Sequence, residues 1–193
     1  MSETPMRVAV IIGSTREGRY APTVANWFVK EAQGHGGFAV DVIDLAEADL
    51  PVVMSRNLSP EAVKSLGAVT SVLDAADAFV VITPEYNHSY PASLKNAIDW
   101  HSRQWQAKPV GFVSYGGLAG GLRAVEHLRP VFAELHAVTV RDTVSFHGFD
   151  NFDEDGEPKS PEGCHGAAKT MLDQLVWWAQ ALRTARREHP YGK

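Results

Sequence analysis

One cysteine, Cys164, occurs in the 193 residues. It has no partner for an internal disulfide, a redox pair or a zinc site, and is read as structurally incidental. Long apolar runs are also missing: no stretch approaches the roughly 18 residues that a membrane-spanning helix requires. The opening MSETPMRVAVIIG has neither a basic leader region nor a small-residue cleavage site, so a cytoplasmic protein is expected. There is no basic stripe, and 18 Lys and Arg against 23 Asp and Glu give a net charge of −5. That balance excludes nucleic acid and anionic membrane as expected partners and leaves small molecules. The eight histidines fall singly, with no HxH or HxxxH spacing, so no metal site is expected. Nor is there an internal repeat or a break in composition. With 45% hydrophobic residues the chain reads as one domain over residues 1–193, with a flexible polar tail from 183 (RTARREHPYGK).

What is present is alternation. Short runs rich in Val, Ile and Phe are separated by longer segments of helical period, the pattern of a parallel sheet covered on both faces. Strands are expected near Arg7–Gly13, Phe38–Asp44, Ala78–Thr83, Val110–Tyr115 and Ala137–Ser145. Helices are expected over Pro22–Gln33, Pro60–Ala75, Pro91–Arg103, Gly121–Glu134 and Glu162–Ala185. In the last, Ala168, Met171, Leu172, Leu175, Ala179 and Leu182 form one apolar stripe. The expected fold class is α/β, a three-layer, doubly wound, flavodoxin-like arrangement with a five-stranded parallel sheet in the order 2-1-3-4-5. In that order ligands lie beyond the carboxyl ends of the first, third and fourth strands, which singles out three loops.

The first, GSTREGRYAP, leads into a helix with Pro22 in its opening turn, so free backbone N–H groups and the positive helix end point into the loop. Ser14 and Thr15 add hydroxyls, and Arg16 and Arg19 add charge suited to a phosphate. The glycine spacing lacks the GxGxxG of a dinucleotide turn. Arg19 and Tyr20 replace the Lys and the hydroxyl residue of GxxxxGK[ST], which disfavours a nucleotide triphosphatase. A lone monophosphate remains, with a plain solvated turn as the alternative. The second loop, PEYNHSYP, puts Glu85, Tyr86, Asn87, Ser89 and Tyr90 between Pro84 and Pro91. A phosphate needs none of these, whereas a flat heteroaromatic with hydrogen-bonding edges would use them. The third, SYGGLAGG, carries four glycines, which serve either tight turning or close approach of backbone to a bulky ligand.

Together, GSTREGR, TPEYNHSYPASLKNAIDW and SYGGLAGG resemble the motifs of the NADPH-dependent FMN reductase family, flavodoxin-like NAD(P)H reductases of quinones, azo dyes and chromate. Their order and spacing cover roughly residues 6–180. The resemblance implies FMN as cofactor and NADPH or NADH as electron donor, with a quinone, azo dye, chromate, nitroaromatic or free flavin as acceptor. It places the FMN phosphate on Ser14, Arg16 and the following turn, with Arg19 added on charge although many members carry a small hydroxyl residue there. It places the ring against Pro84, Glu85, Tyr86, Asn87 and Ser89 on one side and Ser114, Tyr115, Gly116 and Gly117 on the other. No side chain is expected to act as a catalytic residue, and for Glu85 a structural hydrogen bond ranks above a base. The family's habit implies a homodimer or homotetramer with the flavin near the interface. A flavodoxin-like electron carrier or a flavin redox sensor is the alternative, although a charge of −5 is mild for a docking carrier.

Two further segments stand out. AEADLPVVMSRNLSP carries Leu50 to Met54 between surface positions and could cap a cofactor, meet a second subunit or pack beneath its own loop. NFDEDGEPKSPE, residues 151–162, nearly satisfies a calcium loop, but Pro158 and the strand before it argue for an acidic surface loop instead.

Overall fold

In the computed structural model, which describes residues 5–192, the chain runs β1 (Arg7–Ile12), α1 (Ala21–His35), β2 (Ala39–Asp44), α2 (Pro60–Ala75), β3 (Ala78–Pro84), α3 (Ala92–Asp99), β4 (Pro109–Gly116), α4 (Leu122–Glu134), β5 (Val138–Thr139), β6 (Val144–His147) and α5 (Pro161–Glu188). The strands pair in parallel in the order β2-β1-β3-β4-β5, and β6 joins the same edge of β4. Side chains of period two divide the core. Val8, Val10 and Ile12 point to the layer of α1 and α5, while Ala9 and Ile11 point to the layer of α2, α3 and α4. Both central strands, β3 and β4, are buried along their whole length, which is why they read as unbroken apolar runs.

The fold class is the expected one, and three elements differ from expectation. The last strand breaks in two at Arg141–Asp142, where side chains take over backbone groups that a ladder would use. Arg129 donates to the carbonyls of Val140 and Arg141 at 2.9 and 3.0 Å, and Gln174 Oε1 accepts from Asp142 N–H at 3.3 Å. α3 stops at Asp99 rather than Arg103, and Trp105 then folds back so that its indole N–H donates to His101 O at 2.5 Å. The tail expected to be flexible from residue 183 is instead the end of α5, which continues to Glu188. Arg183 and Arg186 lie 3.5 and 3.3 Å from the carboxylate of Asp77, and Arg186 also donates to Ala107 O at 2.5 Å. Two arginines of a tail expected to fray thus tie α5 to the loops that precede β3 and β4.

Lys108 ends the loop before β4 and is only 7% exposed. Its ammonium donates to Leu73 O at 2.8 Å, supplying the cation that the last turn of α2 lacks. Burial, and secondarily Arg186, lower its pKa from 10.5 to about 8. Between these values the unfolded chain binds more protons than the folded one, so stability rises with pH from about 8 towards 10.5. Chemical denaturation of wild type and Lys108→Met across that window tests this: the difference between them should carry the slope, and a flat difference would contradict it.

Candidate cofactor-binding site

The loops after β1, β3 and β4 converge at the carboxyl edge of the sheet around a cleft of about 340 Å³. Its wall comprises residues 16–20 of the first loop, 84–86 of the second, Tyr115 and Gly116 of β4, and Phe149. α1 begins at Ala21 with no side-chain cap and no acidic residue in its first turn. Its opening N–H groups are therefore available to an anion. Arg16 beside them is exposed and has no ion-pair partner among the described residues.

Arg19 departs from expectation. Both ends of its guanidinium fork meet Asp44 at the end of β2, at 2.5 and 2.6 Å, and Nη1 also donates to Ser14 O at 2.8 Å. Donating to the Asp44 carboxylate raises the arginine pKa further. A fork so used braces the first loop against β2, with its two terminal nitrogens committed to a bidentate carboxylate. Ser14 is fully buried, its Oγ 2.7 Å from Tyr86 Oη, and so ties the first loop to the second.

The second loop makes a two-residue turn. Tyr86 and Ser89 exchange backbone hydrogen bonds of 2.8 and 3.1 Å, with Asn87 and His88 at φ +48° and +73° between them. Positive φ at both central positions is the type I′ arrangement, in a region that Asn and His enter more readily than most residues other than glycine. Asn87 is left at an exposed tip, and Ser89 Oγ lies 3.0 Å from His127 Nδ1 on α4; neither borders the cleft. Glu85 accepts from Arg123 N–H at 3.3 Å and from its guanidinium at 2.9 Å. It thereby caps α4, as a structural carboxylate would.

In the third loop Ser114 Oγ is buried and donates to Gly120 O at 2.8 Å. Gly121, at φ +84°, lies so close that an added Cβ would fall 2.6 Å from Ser114 Cβ. Ser114 thus holds the glycine turn from beneath, Gly117 is exposed beside it, and Gly116 reaches the cleft. Tyr115 is 2% exposed, and its hydroxyl, shut off from solvent beside Ser14, makes no hydrogen bond of ordinary geometry among the described residues. Burial pushes its pKa well above the ordinary tyrosine value, so it stands as a neutral donor awaiting an acceptor.

Sequence reasoning did not select Tyr20, Phe149, Asp44 or Arg123. Tyr20 lies edge-on to Tyr115 and Phe149 at 5.8 and 6.0 Å, making an aromatic wall. Asp44 alone had a legible signal, as an acid closing an apolar strand beside a basic loop. The cleft therefore joins Arg16 and the free N–H groups at the start of α1 to an aromatic wall, a set of groups that suits a flat ring carrying one phosphate.

The sequence profile of NADPH-dependent FMN reductases matches residues 6–151. The chain belongs to that family. An NAD(P)H-dependent FMN reductase of Schizosaccharomyces pombe is 37% identical over 123 residues, a stretch covering 60% of this chain and 60% of the yeast protein. A quinone reductase of Escherichia coli is 35% identical over 150 residues, 72% of this chain and 76% of that one. Among solved structures, the NAD(P)H:acceptor oxidoreductase FerB of Paracoccus denitrificans superposes with a TM-score of 0.72 at 25% identity, covering 91% of this chain and 98% of that chain. In this chain the matched residues include all three loops. Phe149 and Asp44 fall within the same stretch.

Among the described residues no helix is long and apolar enough to cross a membrane, and no group of three or more His, Cys, Asp and Glu side chains could hold a metal ion. Residues 151–159 of the calcium-like segment form a small hairpin. Phe152 pairs with Pro158, and Asp153 Oδ1 accepts the N–H groups of Asp155 and Glu157 at 3.0 and 2.9 Å.

Proposed function

We propose that this chain is an FMN-dependent oxidoreductase that takes two electrons as hydride from NADPH or NADH and passes them to a small acceptor such as a quinone. The carrying observation is one cleft at the carboxyl edge of the sheet that brings Arg16, next to the uncapped start of α1, together with the rings of Tyr20, Tyr86, Tyr115 and Phe149. Bound FMN would supply the hydride-accepting chemistry that no side chain here provides. Arg16 and the first N–H groups of α1 would hold the phosphate, and Pro84 to Tyr86 with Tyr115 and Gly116 would border the ring. Arg19, fixed on Asp44, keeps the first loop in shape, and Glu85, held by Arg123, keeps the second loop against α4. Such preorganisation lowers the cost of ordering the loops when the cofactor binds. Anaerobic mixing with NADPH tests the reading: the oxidised flavin's visible absorbance should bleach rapidly and return when a quinone is added. An unchanged spectrum would instead favour the electron carrier.

We also propose that the chain forms a homodimer through the segment after β2. Val52, Val53 and Met54 are 83, 75 and 58% exposed, yet their loop is pinned, since Trp100 Nε1 and Asn96 Nδ2 donate to Pro51 O at 2.7 and 3.1 Å. A fixed, contiguous apolar patch favours burial against a second copy. Val53→Asp should shift the mass measured by light scattering from dimer to monomer; a monomeric wild type at micromolar concentration would sink the idea.

A further inference from the structure

The segment between β6 and α5 is tied to both ends of the cleft. Gly148, at φ +78°, donates its N–H to the carbonyls of Gly116 and Gly117 at 2.7 and 3.1 Å, anchoring the segment on the glycine loop. Three residues on, Asn151 N–H donates to Tyr20 Oη at 3.4 Å, anchoring it on the first loop. Asn151 Nδ2 closes the turn by donating to Gly148 O at 2.8 Å. Between these ties stands Phe149, 63% exposed although it borders the cleft, its ring edge-on to Tyr20. A large aromatic left in water forgoes the burial that drives folding. Here the backbone on either side is fixed, so the side chain is held over the cleft at little further loss of chain entropy.

We propose that residues 148–151 form a strap across the cleft and that Phe149 is a flavin-retention residue, packing its ring against the apolar part of the cofactor. This inference rests on the FMN-binding reading above. Contact with the ring system rather than the phosphate makes the contribution indifferent to the phosphate, which separates Phe149 from Arg16.

The test is titration of flavin-stripped protein with FMN and, separately, with riboflavin, following quenching of flavin fluorescence. Phe149→Ala should raise the Kd for both ligands by about 3- to 10-fold, and Phe149→Tyr should restore it. Amide hydrogen exchange over residues 148–152 should slow when FMN is added to wild type. The flavin-free Phe149→Ala protein should melt with wild type, since the side chain is exposed. Equal affinities of Phe149→Ala and wild type would overturn the proposal, as would a loss confined to FMN. A wild type that takes up neither flavin would instead overturn the cofactor reading itself.

Discussion

Arg16→Ala should weaken FMN binding roughly 10- to 100-fold while leaving riboflavin affinity and the melting temperature of the flavin-free protein unchanged. A charge-assisted hydrogen bond contributes about 1.5–3 kcal/mol, and each 1.4 kcal/mol is roughly a factor of ten in Kd. The structural grounds are that Arg16 borders the cleft beside an uncapped helix start and, unlike Arg19, has no ion-pair partner among the described residues. Because the guanidinium is exposed, the lost affinity should also shrink as ionic strength rises. Fluorescence titration of both ligands at low and high salt checks all of this. An Arg16→Ala protein that binds FMN as wild type does would move the phosphate elsewhere, and a parallel loss of riboflavin would mean that Arg16 acts by shaping the loop.

The layers and strand order were legible because β3 and β4 are buried on both faces and leave unbroken apolar runs, while the helices keep one stripe each. α2 illustrates the best case: Ser59 accepts from Ala62 N–H, Pro60 stands in the first turn, and the bounds expected from sequence coincide with those observed. The last strand shows the limit. Its break depends on Arg129 and Gln174, which come from α4 and α5, and no window around Arg141 contains them. The extension of α5 depends likewise on Asp77, distant in sequence from Arg183 and Arg186.

The same division holds at the site. Loop position followed from topology, and chemical type followed from composition, so the three loops and their aromatic and cationic character were readable. Which side chain faces the cleft was not, because that depends on partners remote in sequence. Ser114, expected to border the ring, turns its hydroxyl to Gly120 O. Glu85 is neutralised by Arg123, which lies 38 residues away. Tyr115 is informative for the opposite reason, since burial without a partner is visible only after folding.

Arg19→Met and Asp44→Ala should each lower stability by about 2–3 kcal/mol and each weaken FMN binding. Removing one member of a well-buried ion pair typically costs about 3–5 kcal/mol. The discount follows from side chains that remain 15 and 16% exposed. Asp44 has a second duty, since its Oδ1 also accepts from Ala46 N–H at 3.0 Å; Asp44→Asn, which keeps that acceptor, should therefore lose less than Asp44→Ala. The pair also separates the two roles open to Arg19. If it braces the first loop, either substitution releases the same contact, so losses of stability and of flavin affinity run in parallel and the double variant is little worse than either single one. If it were a phosphate ligand restrained by Asp44, removing Asp44 would free the guanidinium, and Asp44→Ala would bind FMN as tightly as wild type or more so while Arg19→Met lost affinity. The bidentate geometry at 2.5 and 2.6 Å and the third bond to Ser14 O favour the first outcome, because swinging the fork to a phosphate would break three hydrogen bonds around a charge that is only 15% exposed.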